Sequence, residues 1–209
     1  MKSFECPNLT AAWYLYYYFR YPSGDYLSHQ LMDFKADLKP QIKTFAALSA
    51  EAISDTDWTF DYVTRVLGSK EITATMPNRV REIAISIAEK THARYIPLLL
   101  KKTKKTKAFK GGLSKQQRID EIAEVYEINE VHDLNDKSIL IVDDISTTGT
   151  TFEVIAGVIN AKYPRARIYG FCLAKTMTKI KGVLEGNDVA AVNDYKTEFQ
   201  KHVPANPQK

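Results

Sequence analysis

Cysteine is nearly absent. Cys6 and Cys172 are the only two in 209 residues, too few for a disulfide framework or for a four-ligand zinc site of their own. The four histidines, His29, His92, His132 and His202, are widely scattered and have no metal-ligand spacing. No apolar run approaches the roughly 18 residues of a membrane span, and the start, MKSFECPNLT, lacks the apolar core of a secretory signal. These absences predict a soluble, cytoplasmic protein with no membrane partner. Several catalytic strings are missing as well. The chain contains no Gly-x-x-x-x-Gly-Lys-Ser/Thr, GxGxxG, HExxH or GxSxG, so P-loop, dinucleotide-binding, zincin and α/β-hydrolase readings have no support. What is present is an ordinary globular composition, 44% hydrophobic and 26% charged, without repeats or low-complexity segments. The net charge of +4 suits an anionic small ligand or nucleic acid without choosing between them.

The character of the chain changes twice. Residues 1–57 read as an N-terminal helical segment. Thr10 is placed to cap a helix through Trp13 to Phe19 that ends at the turn Tyr21-Pro22-Ser23-Gly24. Leu27, Leu31, Phe34 and Leu38 mark one face of a second helix, Pro40 interrupts, and Ile42, Phe45 and Leu48 continue with helical spacing. The tyrosines Tyr14, Tyr16, Tyr17 and Tyr18 are read as a partly buried helix face against the main domain, with an interaction surface as the alternative.

From Phe60 strands and helices alternate, which predicts an α/β, doubly wound, mostly parallel sheet over a core of residues 58–193. Phe60 to Leu67 reads as a strand. Val80, Ile83, Ala84, Ile87 and Ala88 share a helical face begun by Pro77 and Asn78. Tyr95 to Leu100 reads as a second strand, with Pro97 near an edge. Ile139 to Val142 is apolar on both faces, as a central parallel strand must be. Phe152, Ile155, Ala156 and Ile159 form the next helix stripe, Ile168 to Ala174 another strand, and residues 194–209 a polar C-terminal tail. Between the second and central strands, Lys101, Lys102, Lys104, Lys105, Lys107 and Lys110 crowd one ten-residue window, followed by Gly111-Gly112. Ser114 with Gln117 then predicts a short capped helix through Arg118 to about Glu121. The lysine stretch is a solvated loop, or a cationic flap over an anionic ligand.

The strongest signal is Ile139-Leu140-Ile141-Val142-Asp143-Asp144-Ile145-Ser146-Thr147-Thr148-Gly149-Thr150-Thr151. An apolar strand ends in two carboxylates, followed by a hydroxyl-rich turn and an amphipathic helix. Ligands of open α/β sheets bind beyond the carboxyl ends of the strands. A helix N-terminus there offers unsatisfied N–H groups and a favourable dipole to a phosphate, and Gly149 allows close backbone approach. The paired carboxylates need hydroxyl or cationic partners, which ribose hydroxyls with a magnesium ion nearby would supply. A plain capped helix start is the competing explanation for an Asp pair before a Ser/Thr-Gly turn. It does not account for the whole string.

This string resembles the signature of type I phosphoribosyltransferases that binds 5-phosphoribosyl 1-diphosphate (PRPP). Within that superfamily the chain is most similar to the ComF-type, competence-associated members. Thr106, Gly112-Leu113, Arg118 and the strand ending near Tyr126 follow the order of a segment in those proteins. It departs from them where their Gln would stand, with Phe109 or Lys110 nearby, and in lacking their N-terminal zinc module, which residues 1–57 replace.

The resemblance implies that Asp143 and Asp144 are catalytic and hold the ribose hydroxyls. It implies that Ser146, Thr147, Thr148, Gly149, Thr150 and Thr151 surround the 5′-phosphate. The turn Gly68, Ser69 and Lys70, with Arg65, corresponds to the pyrophosphate site, and Lys102, Lys104, Lys105, Lys107 and Arg118 to a closing flap. Mg²⁺ is the implied cofactor, carried by PRPP and near Asp143 and Asp144. The implied reaction transfers 5-phosphoribose to a nitrogenous, nucleobase-like acceptor and releases pyrophosphate. Thr147 stands where 6-oxopurine enzymes carry an Asp, which argues against a hypoxanthine-guanine acceptor. A PRPP-sensing protein without turnover and a ComF-like DNA-uptake factor are the alternatives. The latter would use the lysine stretch on single-stranded nucleic acid, although only Phe109 interleaves it. Dimers are frequent in this superfamily, and the Tyr-rich segment is the candidate contact should the chain form a homodimer.

Overall fold

Ile139, Leu140, Ile141 and Val142 are all fully buried, which for consecutive residues of a strand requires cover on both faces of the sheet. They form the inner part of β7 (Ser138–Ser146) in the computed structural model, which describes residues 1–19, 25–75, 77–106, 115–129, 132–177 and 196–203. The remaining elements are β1 (Lys2–Ser3), β2 (Ala11–Tyr18), α1 (Tyr26–Lys35), α2 (Lys39–Ser54), β3 (Tyr62–Arg65), α3 (Arg79–Lys90), β4 (Arg94–Tyr95), β5 (Leu100–Lys102), α4 (Lys115–Ala123), β6 (Tyr126–Ile128), α5 (Thr150–Lys162), β8 (Arg167–Thr176) and α6 (Lys196–Lys201).

Among the described residues the main sheet has the order β1-β2-β8-β7-β3-β4. All its neighbours pair in parallel except the short edge β1 on β2. β7 is clamped on both sides, with Val142 opposite Arg65 of β3 and Phe171 of β8. The period-2 alternation of a strand splits its side chains. Leu140 and Val142 join the cluster under α1, α2, α3 and α6, whereas Ile139 and Ile141 join the one under α4 and α5. This is the doubly wound, mostly parallel α/β architecture expected from the alternation of elements. The pair β5–β6 forms a separate antiparallel ribbon beside the sheet.

Several expected elements form as read. The stripe Leu27, Leu31 and Phe34 is buried on α1, Phe45 and Leu48 on α2, and Val80, Ile83, Ala84, Ile87 and Ala88 on α3; Leu38, expected on the first of these stripes, instead lies exposed past the end of α1 as the N-cap of α2. Asn78 caps α3 by accepting from the Val80 N–H at 2.8 Å. Pro40 sits in the first turn of α2, where its missing N–H costs nothing.

Three readings are corrected. Residues 11–18 are a strand, not a helix: β2 lies parallel to β8, and the Thr10 N–H donates to the Ile168 carbonyl at 2.7 Å instead of starting a helix. A run buried on both faces loses its alternation, so spacing alone does not separate strand from helix. Its five aromatics among eight residues carry the β preference that decides the outcome. Tyr95 to Leu100 is not one strand either. Pro97, lacking a ladder donor, begins a 3₁₀ turn (Pro97–Leu99), and the chain then crosses to β5 in the second sheet. Lastly, the segment expected as a polar tail contributes α6, whose Phe199 is 1% exposed. The turn Tyr21–Gly24, the residues Lys107 to Lys110, Gly111-Gly112 and the capping residue Ser114 lie outside the described residues.

Phe45 ties these N- and C-terminal pieces together. It stacks on Tyr16 of β2 at 6.0 Å between ring centroids and meets Phe34 and Phe199 edge-on at 5.5 and 4.7 Å. Phe45→Ala removes a wholly buried aromatic and is expected to cost ~3–5 kcal/mol of unfolding free energy. The exposed Leu98→Ala is expected to change it by less than about 0.5 kcal/mol. Urea unfolding of both variants against the wild type checks the contrast.

Candidate functional site

β7 carries Asp143 and Asp144 past the buried core to the carboxyl edge of the sheet. There each carboxylate turns back on its own chain. Asp143 Oδ1 accepts the Asp144 N–H at 2.8 Å, and Asp144 Oδ1 accepts the Ile145 N–H at 2.7 Å. The Asp143 carboxyl is held well above the usual carboxylate range, first by burial and then by the neighbouring Asp144. Asp144 has a cation at hand, Arg79 Nη2 at 3.4 Å, and the same guanidinium reaches Asp37 at 3.2 Å.

The turn that follows leads straight into α5. Gly149 is its N-cap at φ 80°, a left-handed conformation that favours glycine. A Cβ there would also lie 3.1 Å from Cys6 Sγ. No side chain caps the helix, so its first N–H groups keep the unmet donor capacity and positive dipole end that attract an anion. Hydroxyls surround that end: the Thr148 and Thr150 oxygens lie 2.7 Å apart, Thr147 bonds Thr176 at 3.1 Å, and the buried Ser146 Oγ has no partner among the described residues. A cavity of about 370 Å³ opens here, lined by Asp143, Asp144 and the whole turn Ser146–Thr151. Thus all eight residues expected to meet the ribose and its phosphate share one cavity. Tyr18 at the end of β2 and Lys35 at the end of α1 line it too.

The expected pyrophosphate turn follows β3, the parallel neighbour of β7, and so lies beside Asp143. Within it Lys70 is exposed, whereas Gly68 and Ser69 are half-buried. Arg65 is not a free cation facing the cavity: it is wholly buried, and its guanidinium clasps Glu71 through Nη2–Oε1 at 2.6 Å and Nη1–Oε2 at 2.8 Å. Glu71 Oε2 also accepts the Gly68 N–H at 2.5 Å.

The lysine window divides. Lys102 lies beneath the turn, its ammonium donating to the Leu67 and Gly68 carbonyls at 3.1 and 3.0 Å and lying over the Tyr126 ring at 5.2 Å. Burial lowers its pKa to about 8 against the opposing pull of Glu71 and Asp143. It belongs to β5 and props the turn, so it is no part of an open flap. Lys101 pairs with Glu127, and Lys104 and Lys105 are exposed. Arg118 falls on α4, and Lys107 lies outside the described residues.

Glu71, Arg79 and Lys35 were not singled out from the sequence, and Tyr18 was read only as part of a Tyr-rich helix face. Only Glu71 had a usable signal, a Glu three residues after Gly68 and so spaced to reach back to its N–H. Arg79, Tyr18 and Lys35 reach the site through chain crossings that no local pattern encodes.

The Asp143 environment has a measurable consequence. A carboxyl whose folded-state pKa lies above its unfolded value near ~3.9 destabilises the fold only once pH exceeds that value, and the cost grows as pH rises toward the folded pKa. Asp143→Asn is therefore expected to stabilise the protein near neutral pH and to give little gain near pH ~4. Urea midpoints at the two pH values check this, and an equal gain at both refutes it.

Among known proteins, the family described as the phosphoribosyl transferase domain matches residues 81–194, more than half of the chain. A comparison of the sequence with curated proteins finds no match. Among solved structures, a hypoxanthine phosphoribosyltransferase from Staphylococcus aureus is similar at 16% identity and TM-score 0.42, with 69% of this chain and 68% of that one covered. A hypoxanthine-guanine phosphoribosyl transferase from L. donovani is similar at 17% identity and TM-score 0.40, with 74% and 78% covered. A hypothetical protein from Neisseria gonorrhoeae with bound ppGpp is similar at 14% identity and TM-score 0.41, with 70% and 73% covered. With its matched segment running through β7, the acid pair and the phosphate-type turn, the chain belongs to the phosphoribosyl transferase domain family.

Proposed function

We propose that this protein transfers 5-phosphoribose from PRPP to a nitrogenous acceptor and releases pyrophosphate. The observation that carries this reading is the uncapped N-terminus of α5, which opens into the cavity that also holds Asp143 and Asp144. The N–H groups of Thr150 and Thr151, with the hydroxyls of Thr147, Thr148 and Thr150, would take the 5′-phosphate. Asp143 and Asp144 would accept from the ribose hydroxyls. Their negative field would favour the positive charge that develops on the sugar ring as the bond to pyrophosphate lengthens. Gly68, Ser69 and Lys70 at the neighbouring strand end, with Lys104 and Lys105 from the lysine stretch, would face the departing pyrophosphate.

Mg²⁺ fits this donor set as a hard cation for carboxylate and phosphate oxygens. Among the described residues no group of three or more His, Cys, Asp or Glu side chains could hold a metal ion. The ion would therefore arrive with PRPP, near Asp143 and Asp144, and supply charge neutralisation of the leaving group.

Titration calorimetry with PRPP, with and without Mg²⁺, tests the binding half of this reading. The double variant Asp143→Asn, Asp144→Asn is expected to lose at least about 100-fold in PRPP affinity, roughly 2.8 kcal/mol. Unchanged affinity, or no PRPP binding by the wild type, removes the proposal. Release of pyrophosphate across a panel of nitrogenous bases tests the transfer half, and tight binding without release for any base leaves a PRPP-binding protein without turnover.

A further inference from the structure

The Leu67–Glu71 turn contains a complete anion site that is already filled. Glu71 Oε2 accepts from Arg65 Nη1 at 2.8 Å, from the Gly68 N–H at 2.5 Å and from Asn78 Nδ2 at 3.4 Å, while Oε1 accepts from Arg65 Nη2 at 2.6 Å. The carboxylate lies directly above Gly68, so close that a Cβ there would sit 3.0 Å from Oε2. Below the turn, the Lys102 ammonium adds a second buried positive charge, held by the Leu67 and Gly68 carbonyls. A forked guanidinium, a turn N–H, a side-chain amide and a buried ammonium are together the donors that bind phosphate oxygens. Here two cations stand against one carboxylate, so the cluster is left with an excess positive charge. Burial opposes ionisation of Glu71, but Arg65 and the Gly68 N–H outweigh it and keep the carboxyl below its ordinary value.

We propose that Glu71 is an internal occupant of the pyrophosphate subsite, and that a diphosphate group binds there by displacing the Glu71 carboxylate from Gly68 and Arg65. The proposal rests on the PRPP reading of the neighbouring cavity and adds a regulatory contact to it. Two alternatives for Glu71 predict opposite results. As a brace, it fixes the Gly68 N–H in a binding orientation, and its removal weakens diphosphate binding. As an occupant, it competes for the same donors, and removing its charge frees them. The geometry favours the occupant, because the Gly68 N–H points at the carboxylate and both ends of the buried guanidinium are taken up by it, Nη1 donating also to the Val66 carbonyl at 3.1 Å. Without Glu71, Arg65 loses its carboxylate partner and Lys102 the stronger of the two carboxylates that oppose the effect of its burial, so an incoming diphosphate meets unneutralised positive charge. With Glu71 in place, the leaving-group site stays closed to stray anions until a ligand held by the α5 turn brings a diphosphate beside it.

The test is calorimetric binding of inorganic pyrophosphate with Mg²⁺ to the wild type and to Glu71→Gln. Glutamine keeps the shape and an accepting oxygen but removes the charge. The variant is expected to bind pyrophosphate at least about tenfold more tightly. Equal or weaker binding, or none by either protein, overturns the proposal. Ribose 5-phosphate, titrated into the same samples, reports on the α5 turn alone. Its binding to both proteins keeps the PRPP reading alive whatever pyrophosphate does, and its failure to bind counts against that reading instead. Should Glu71→Gln not fold, NMR of the ¹³Cδ-labelled glutamates in the wild type decides. On saturation with pyrophosphate the Glu71 carboxyl is expected to move to the shift and titration of a solvated glutamate. An unmoved signal overturns the displacement.

Discussion

The site depends on the parallel pairing of β7 between β3 and β8. Because hydrogen bonds hold β7 on both edges and helices cover both of its faces, its register cannot slip by a residue without exchanging its two apolar faces. That register sets where the strand leaves the core, and hence where Asp143 and Asp144 emerge and where α5 begins. The turn after β3 emerges at the same edge because Arg65 is paired with Val142, one residue before the acids. The sugar-phosphate cavity and the Gly68 turn are therefore adjacent by strand pairing, before any side chain is considered.

Around this rigid centre, several locally unfavourable features gather within a few residues. Asp143 is held where burial and a like charge disfavour its ionised form. Gly149 adopts a left-handed conformation, α5 starts without a side-chain cap, and Ser146 Oγ is buried without a partner. The buried carboxyl, the open helix end and the unpartnered hydroxyl are each costly for the isolated fold, and under the proposed function a ligand bearing hydroxyls and a phosphate would relieve them. A deep core tolerates such a concentration of unfavourable groups because the unbroken apolar contacts of β7, β8 and their helices outweigh it. Glu71 and Arg65 follow a different logic. Their charges are buried but paired with each other, Nη1 and Nη2 of Arg65 each donating to the Glu71 carboxylate.

The N-terminal strand changes what the site contains. By joining β8 in parallel, β2 ends at the same edge as β7, which brings Tyr18 into the cavity wall and lets α1 carry Lys35 there. The loop before it places Cys6 against Gly149, so the first residues of the chain also shape the phosphate-type turn.

The sequence by itself determined the class of fold and the position of the turn. Ile139–Val142, apolar at four successive positions, read as a doubly covered strand. An acid pair followed by a hydroxyl-rich Gly turn and an amphipathic stripe could be read as a strand–helix junction from adjacent residues alone. The helix stripes of α1, α2 and α3 were legible for the same reason, since their spacing is local. Tertiary structure alone decided the rest. Whether the aromatic run 11–18 became strand or helix depended on a vacant edge of β8, and burial on both sides had erased the alternation that would have announced it. The partners of Arg65, Lys102 and Asp144 lie across turns or chain crossings, and burial determined which of these charges face a ligand and which face one another. A lysine in a cationic run is solvated or enclosed according to what folds over it, and at Lys102 the turn of Leu67 and Gly68 does so.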